Sequence, residues 1–286
     1  MNRWVLGARP RTLPAAVVPV LVGTAAAAGG GIHWWRALVA MVVAVSIQVA
    51  TNYANDYADG VRGTDDVRVG PVRLVASRLA SPAAVKRAAL LAGAVAAVAG
   101  LTLVPAVGPE VIVIGAASLA AGYLYTGGPR PNGYAGLGEV FVFLFFGVVA
   151  TTGSSYVQLE EVTLLALAAS VPVGFLATAL LVVNNLRDIR TDGAVGKRTL
   201  AVRLGEPATR ALYGGLVVGA FLVVPVLAIR RPLALLALLA VPLAVAPLRL
   251  VSGPATGRAL LPALADTGRL SLGFGVLLAT GLALSA

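Results

Sequence analysis

Residues 162–186 read VTLLALAASVPVGFLATALLVVNNL, a run of 25 residues without a single charged side chain. A helix rises about 1.5 Å per residue, so this run is longer than the roughly 30 Å of hydrocarbon in a bilayer. The first charge comes directly after the run, at Arg187. The stretch therefore predicts a membrane-spanning helix that ends at a polar boundary.

The composition of the whole chain indicates the same environment. Of its 286 residues, 58% are hydrophobic and only 12% are charged, and the mean hydropathy is +0.90. Soluble domains carry about 25% charged residues, and disordered chains are poor in apolar residues. Both classes are excluded, and a polytopic helical membrane protein remains.

Long apolar runs recur along the chain, and each is about the length that a transmembrane helix needs. From them we predict an all-α bundle of about nine transmembrane helices, with residues 1–286 forming a single domain. The runs lie near residues 13–31, 37–54, 88–107, 110–126, 138–157, 162–186, 211–229, 232–249 and 269–286.

Basic residues predict the orientation of this bundle, because loops rich in Lys and Arg stay in the cytoplasm. With a cytoplasmic N-terminus, 19 of the 22 basic residues fall on the inner side, and only Arg36, Arg230 and Arg231 fall outside. The net charge of +10 then reflects inner loops in a lipid bilayer rather than binding to nucleic acid. We expect a multi-pass protein of the cell membrane with two long cytoplasmic loops, near 55–87 and 187–210.

Two acidic motifs lie at the inner ends of predicted helices. Asn52, Asp56 and Asp59 are spaced i, i+4 and i+7, and Asn184, Asp188 and Asp192 are spaced i, i+4 and i+8. Each set therefore shares one face of a helix. Carboxylates this close to hydrocarbon are costly unless they are paired or bind a metal, so we interpret them as functional.

The residue types in these motifs indicate a metal and a phosphorylated ligand. The chain has no cysteine and one histidine, which excludes thiolate chemistry and a histidine metal site. Carboxylate and amide oxygens suit Mg²⁺, which often joins one or two carboxylates to a substrate phosphate. Cationic side chains that could bind phosphate oxygens follow the motifs or lie in neighbouring loops, at Arg73, Arg130, Arg187 and Lys197. Together these features predict a ligand with a diphosphate head and an apolar tail.

The motifs resemble those of the UbiA superfamily of intramembrane aromatic prenyltransferases. Residues 52–59 resemble its first motif, N-x-x-x-D-x-x-D, and Asp188 with Asp192 resembles its second, D-x-x-x-D. The resemblance extends over nearly the whole chain and is greatest to the branch that prenylates 1,4-dihydroxy-2-naphthoate. That branch is indicated by ARPRTLP at 8–14, VGPVR at 69–73, YAGLGE at 134–139, NNLRD at 184–188 and GKRTL at 196–200.

The resemblance implies a mechanism and a set of site residues. Mg²⁺ held by Asp56, Asp59, Asp188 and Asp192 would bind the diphosphate of a polyprenyl donor. The allylic cation left by the departing diphosphate would be attacked by the naphthoate ring, followed by loss of CO₂. We expect further substrate contacts from Asn52, Asn184, Asn185, Arg73, Arg130, Arg187, Lys197 and Tyr134, although Tyr134 is equally suited to be an interfacial anchor.

Two positions depart from the family pattern, and two other functions stay open. Arg78 stands where a Gly often precedes the Leu-x-x-Pro turn, and Asn132 stands where Tyr is common. A prenyltransferase for another aromatic acceptor, of the 4-hydroxybenzoate type, is one alternative. A secondary transporter is the other, because transporters also carry repeated intramembrane acids.

Overall fold

The computed structural model describes residues 2–63, 72–128 and 131–286, and within these ranges the regular elements are all helical. The α-helices, in chain order, are α1 (Arg3–Ala8), α2 (Pro14–Ala26), α3 (Trp34–Val61), α4 (Pro82–Leu101), α5 (Val104–Val107), α6 (Glu110–Thr126), α7 (Gly138–Val142), α8 (Ala150–Leu159), α9 (Leu164–Ala194), α10 (Leu200–Ala228), α11 (Val241–Ser252) and α12 (Leu261–Leu284). A π-helical segment, Phe143–Val149, joins α7 to α8, and a 3₁₀ helix, Pro232–Ala240, precedes α11.

Each of the nine apolar runs overlaps a helix, and the all-α prediction is confirmed for the described residues. Among these residues, seven helical segments are long and apolar enough to cross a membrane. The number becomes eight if the bent pair Arg3–Thr12 and Pro14–Ala26, with a 51° break, is one span. Helix α6 is apolar but has only 17 residues. The chain is a multi-pass membrane protein, while the count of nine and the side of the N-terminus stay predictions.

The extents of the two predicted loops were wrong. Helix α3 runs to Val61 and α4 begins at Pro82, so the first connection is shorter than 55–87. Helix α9 continues to Ala194 and α10 begins at Leu200, which leaves only 195–199 of the predicted 187–210 loop. Both helices continue through the acidic motifs, as the spacing of the motif residues predicts.

Helix α9 is the central element of the bundle. In its most apolar stretch 72% of the residues are buried inside the protein, whereas the corresponding share for α3 is 17%. The largest cluster of buried side chains joins α9 to α2, α10, α11 and α12 through Ala, Val and Leu contacts. Thr163 begins α9 by accepting a hydrogen bond from the Ala166 amide at 3.1 Å, a typical N-cap.

The π-helical segment crosses α9 at a contact between two glycines. A Cβ atom on Gly147 would lie 2.4 Å from the Cα of Gly174, so both positions need glycine for the two backbones to approach. The extra residue per turn of a π segment also shifts the register of the side chains that follow it. Phe145 and Phe146 of this segment line the cavity described below.

Candidate active site

A cavity of about 880 Å³ runs through the bundle between α3, α4, α6, the α7–α8 segment and α9. One wall is a stripe along α3 whose members recur every three or four residues, as expected for one helix face. They are Ala40, Val43, Ala44, Ile47, Gln48, Thr51, Asn52, Asn55 and Asp59. From Ala40 to Asp59 the stripe covers about 28 Å at 1.5 Å per residue, which is close to the thickness of a membrane's hydrocarbon core.

The cavity is polar at one end and apolar along the rest. The apolar walls are aliphatic residues of α4 and α6 together with Phe141, Phe145 and Phe146. The polar end is lined by Arg9, Gln48, Asn52, Asn55, Asp59, Arg73, Tyr134, Asn184, Asn185 and Lys197. This division matches a ligand that has a charged head and a long apolar tail.

Asp59 is the residue of the first motif whose carboxylate lies at the cavity. It is buried, accepts a hydrogen bond from the Tyr134 phenol and forms an ion pair with Arg73 at 3.2 Å. Asn55, one helical turn earlier, also lines the cavity and accepts a hydrogen bond from the Thr126 hydroxyl. Asn55 was missed in the sequence, although it precedes Asp59 by four positions and therefore shares its face.

Asp56 has a different position from the one that the motif suggested. Its carboxylate is fully buried, is not part of the cavity wall, and accepts the backbone N–H groups of Leu74 at 2.7 Å and Val75 at 3.1 Å. It therefore holds the turn that delivers Arg73 to Asp59. Adjacent residues on a helix point about 100° apart, which is why the cavity stripe passes through Asn55 and not through Asp56.

Asn52 lines the cavity, but its amide is engaged in holding the N-terminal segment. Its Nδ2 donates to the Ala8 carbonyl at 2.9 Å and to the Thr12 hydroxyl at 3.0 Å. Its Oδ1 accepts from Gln48 at 3.3 Å. Asn52 thus docks residues 8–12 onto α3 and has little capacity left for a substrate.

In the second motif, Asn184 lines the cavity, whereas Asp188 and Asp192 lie one and two turns further along α9, outside the cavity wall. Asp188 forms a two-point ion pair with Arg187, through Nε at 2.7 Å and Nη2 at 2.6 Å. The same Nη2 donates to the Asn184 amide oxygen at 2.9 Å. Asp192 pairs with Lys197, with 3.8 Å between carboxylate oxygen and ammonium nitrogen. The carboxylates of this motif are thus compensated by cations close to them in sequence.

Tyr134 and Lys197 connect the two motifs. The ammonium of Lys197 lies 4.8 Å from the centre of the Tyr134 ring, within cation–π range. The Tyr134 hydroxyl reaches Asp59, and the Lys197 ammonium reaches Asp192. A continuous chain of contacts therefore runs from the first acidic motif to the second. We call it the Tyr134–Lys197 bridge.

Asn185 and Glu139 form a buried pair next to the bridge. The Asn185 Nδ2 donates to Glu139 Oε1 at 2.9 Å, while the buried Oε2 has no hydrogen-bond partner among the residues the structure describes. Because the Asn185 amide nitrogen makes this contact, the Asn185 Oδ1 points away from Glu139. The contact of Glu139 across to α9 could not be read from the sequence.

The predicted site residues thus fall into three groups. The cavity wall holds Asn52, Asp59, Arg73, Tyr134, Asn184, Asn185 and Lys197, whereas Asp56, Arg187, Asp188 and Asp192 lie outside it. Arg130 lies outside the described residues. Within the described ranges, no three Asp, Glu, His or Cys side chains converge to form a complete metal site.

The fold and the cavity are those of a multi-pass helical membrane protein that accommodates an amphipathic, anionic ligand. Residues 16–258 match the UbiA prenyltransferase family. The chain is 50% identical over 284 residues to the 1,4-dihydroxy-2-naphthoate octaprenyltransferase of Mycobacterium tuberculosis, covering 98% of this chain and 97% of the relative. It is 37% identical over 230 residues to the Escherichia coli enzyme of the same name, covering 76% and 73%. The chain belongs to the UbiA prenyltransferase family.

Solved structures share the fold at low sequence identity. The apo structure of a UbiA homologue from Aeropyrum pernix K1 superposes with a TM-score of 0.70 at 15% identity, covering 99% of both chains. A UbiA homologue from Archaeoglobus fulgidus, solved with DMAPP and Mg²⁺, gives a TM-score of 0.68 at 14% identity and covers both chains completely. At these identities the likeness concerns the fold alone.

Proposed function

We propose that this protein transfers a polyprenyl group from polyprenyl diphosphate to 1,4-dihydroxy-2-naphthoate, a step of menaquinone synthesis, at the cytoplasmic face of the cell membrane. The observation that carries the proposal is a long apolar cavity ending at the Tyr134–Lys197 bridge. The naphthoate acceptor is favoured by the names of the two bacterial relatives, one of them 50% identical over almost the full chain.

The donor's two parts match the cavity's two parts. The diphosphate lies among Arg73, Tyr134 and Lys197, whose donors suit phosphate oxygens. The polyprenyl tail follows the α3 stripe between aliphatic walls. Burial of the tail contributes favourable free energy in proportion to the apolar area that is removed from water.

The oxygen donors at the polar end fit Mg²⁺. Asp59 supplies a carboxylate and Asn55 and Asn185 supply amide oxygens on the cavity wall, with Asp188 and Asp192 on the continuation of α9. Mg²⁺ prefers oxygen ligands and typically uses one or two protein carboxylates plus substrate phosphates. When bound, Mg²⁺ neutralises charge on the diphosphate and so makes it a better leaving group.

The chain's own residues account for the remaining requirements of the reaction. Arg73 and Lys197 stabilise the negative charge that develops as the allylic C–O bond breaks, and the Tyr134 hydroxyl holds the Asp59 carboxylate in place. Phe141, Phe145 and Phe146 face the cavity and shield the allylic cation from water. The ring carbon that bears the carboxylate then forms the new C–C bond, and its bond to the carboxylate breaks with release of CO₂.

The proposal is tested by incubating membranes that contain the protein with donor, Mg²⁺ and either 1,4-dihydroxy-2-naphthoate or 4-hydroxybenzoate. The product is identified by mass spectrometry. We expect a prenylated naphthalenediol that has lost the mass of CO₂, and no product when Mg²⁺ is chelated. Prenylated hydroxybenzoate would indicate the other acceptor class. Absence of both products, together with flux driven by an ion gradient, would indicate a transporter.

A further inference from the structure

Arg9 holds a backbone conformation that is unusual for any residue except glycine. It lies between α1 and the 3₁₀ turn Pro10–Thr12, with φ 53° and ψ 70°. Its carbonyl accepts the amide and the hydroxyl of Thr12, both at 2.9 Å. Non-glycine residues persist in the left-handed region when their surroundings over-determine them, and such positions cluster at functional sites.

The side chain of Arg9 lines the cavity and lacks an anion. Its Nε and Nη2 are buried and have no hydrogen-bond partner among the described residues. A guanidinium stays protonated in proteins, so this is a permanent charge. Arg9 as a whole is half-buried, but its two buried nitrogens lose hydrogen bonds to water without gaining any from the protein, which is costly. The geometry therefore points to an anion that arrives with a ligand.

Three other cations near this end of the cavity are paired with the acidic motifs, and Arg11, which also lines the cavity, is exposed. Arg73 pairs with Asp59, Arg187 with Asp188 and Lys197 with Asp192. Within residues 2–63, 72–128 and 131–286, Arg9 forms no ion pair. The matched cations belong to the acidic end where we place the diphosphate, whereas Arg9 is a separate positive group.

The backbone around Arg9 is anchored to α3 at a different level from Asp59, within the same polar end of the cavity. The flanking residues Ala8 and Thr12 are bound to Asn52, which precedes Asp59 by seven positions. This offset corresponds to about 10 Å along α3, toward the apolar part of the cavity. An acceptor ring must contact carbon 1 of the donor, which lies on the apolar side of the diphosphate. A guanidinium anchored at this level of α3 is within reach of an anion beside the reacting carbon.

We propose that the Arg9 guanidinium binds the ring carboxylate of the aromatic acceptor. The proposal rests on the proposed function and adds the acceptor subsite to it. The planar guanidinium can bind a carboxylate through two parallel hydrogen bonds, which fixes the orientation of the ring as well as its affinity. The network of Thr12, Asn52 and Gln48 positions Arg9 for this contact.

Acceptor binding without turnover tests the assignment. The purified full-length protein in detergent is titrated anaerobically, by calorimetry, with 1,4-dihydroxy-2-naphthoate and with naphthalene-1,4-diol, which lacks the carboxylate. A third titration uses geranyl diphosphate with Mg²⁺. The variants are Arg9→Gln, Arg9→Lys and the control Arg87→Gln, which removes the same charge from an exposed position on α4.

We expect Arg9→Gln to weaken naphthoate binding about tenfold to hundredfold, the range for a charge-assisted hydrogen bond. The affinity of Arg9→Gln for the diol and for geranyl diphosphate should stay within about twofold of the wild-type value. The naphthoate affinity of Arg9→Lys should lie between those of Arg9→Gln and the wild type, and Arg87→Gln should bind all three ligands like the wild type. Unchanged naphthoate affinity, an equal loss for naphthoate and diol, or a larger loss for geranyl diphosphate would each overturn the assignment. If Arg9→Gln does not fold, Arg9→Lys provides the same comparison.

The outcome separates this proposal from the proposed function. If the wild type prenylates the naphthoate but Arg9→Gln binds it normally, only the Arg9 assignment is wrong. If the wild type prenylates 4-hydroxybenzoate instead, the titrations are repeated with 4-hydroxybenzoate and phenol. A loss confined to the carboxylate ligand then supports Arg9 while contradicting the naphthoate function. A wild type that binds neither aromatic acid contradicts both.

Discussion

The phenol of Tyr134 donates a hydrogen bond to Oδ1 of Asp59, although 75 positions separate the two residues in the chain. The ring of the same tyrosine lies 4.8 Å from the Lys197 ammonium, which pairs with Asp192. This one side chain therefore links two acidic motifs that are carried by different helices. We infer that the motifs act as a single site.

Replacing Tyr134 with Phe tests the contribution of its hydroxyl separately from that of its ring. The variant keeps the ring beside Lys197 but loses the hydrogen bond to Asp59, so we expect kcat/KM for the donor to fall about tenfold to hundredfold. The measurement is steady-state prenyl transfer with varied donor. Tyr123→Phe is the control, because Tyr123 is 61% exposed on α6. Equal effects of the two substitutions would contradict a role for the Tyr134 hydroxyl.

We expect Asn substitutions of Asp56 and Asp59 to affect stability and turnover differently. Asp56→Asn replaces an oxygen that accepts a backbone N–H with an amide group that cannot, so we expect about 1–3 kcal/mol of destabilisation. Limited proteolysis should then cut more readily near residues 72–80. Asp59→Asn leaves the buried Arg73 without its charge partner and should also destabilise the protein, but the folded variant should lose turnover about hundredfold or more, as typical for a group that stabilises transition-state charge. The reverse pattern would show that Asp56 is the residue that serves the chemistry.

Arg78 offers a simple test of the turn that Asp56 holds. Its φ of 55° is in the left-handed region, where glycine is favoured, and the family pattern often has glycine there. We expect Arg78→Gly to raise the free energy of unfolding by up to about 1 kcal/mol, because it relieves that strain. Arg87→Gly, in the interior of α4, should lower it by a similar amount. A thermal unfolding series in detergent measures both, and destabilisation by Arg78→Gly would argue against strain at this turn.

The predicted topology can be tested separately from the chemistry. The 19-to-3 distribution of basic residues predicts that a reporter placed near Gly193 lies in the cytoplasm, while one fused after Ala286 lies outside. Paired alkaline phosphatase and green fluorescent protein fusions distinguish the two sides. Reporters that both indicate the same side would contradict the nine-span prediction.

Much of the architecture could be predicted because hydrophobicity over 20 residues is a strong, local signal. The nine apolar runs each overlap a helix, and α6 has the predicted bounds of residues 110–126. Helix ends were less accurate, since the apolar run ends at 186 while the helix continues through the polar residues of the motif to Ala194. Arg187 and Asp188, for example, form an ion pair within this continuation.

Seven of the twelve predicted site residues line the cavity, while the metal-binding role of the motifs stays a prediction. The motif spacing selected Asp56, yet the cavity face passes through Asn55, because a shift of one residue turns a side chain by about 100°. Pairs such as Asn185 with Glu139 depend on how α9 packs against α7, which no local pattern contains. The missing anion of Arg9 is likewise a property of the packed structure and not of the sequence.

The most direct test of a single site is the kinetics of Asp59→Asn, Asp192→Asn and the double variant, measured as kcat for prenyl transfer at saturating Mg²⁺. Groups that act as one unit are strongly non-additive. We predict that each single variant loses about hundredfold and that the double variant is no more than a few-fold worse than either. Losses that multiply to about ten-thousandfold would contradict the account, because they would mean that the two motifs act independently.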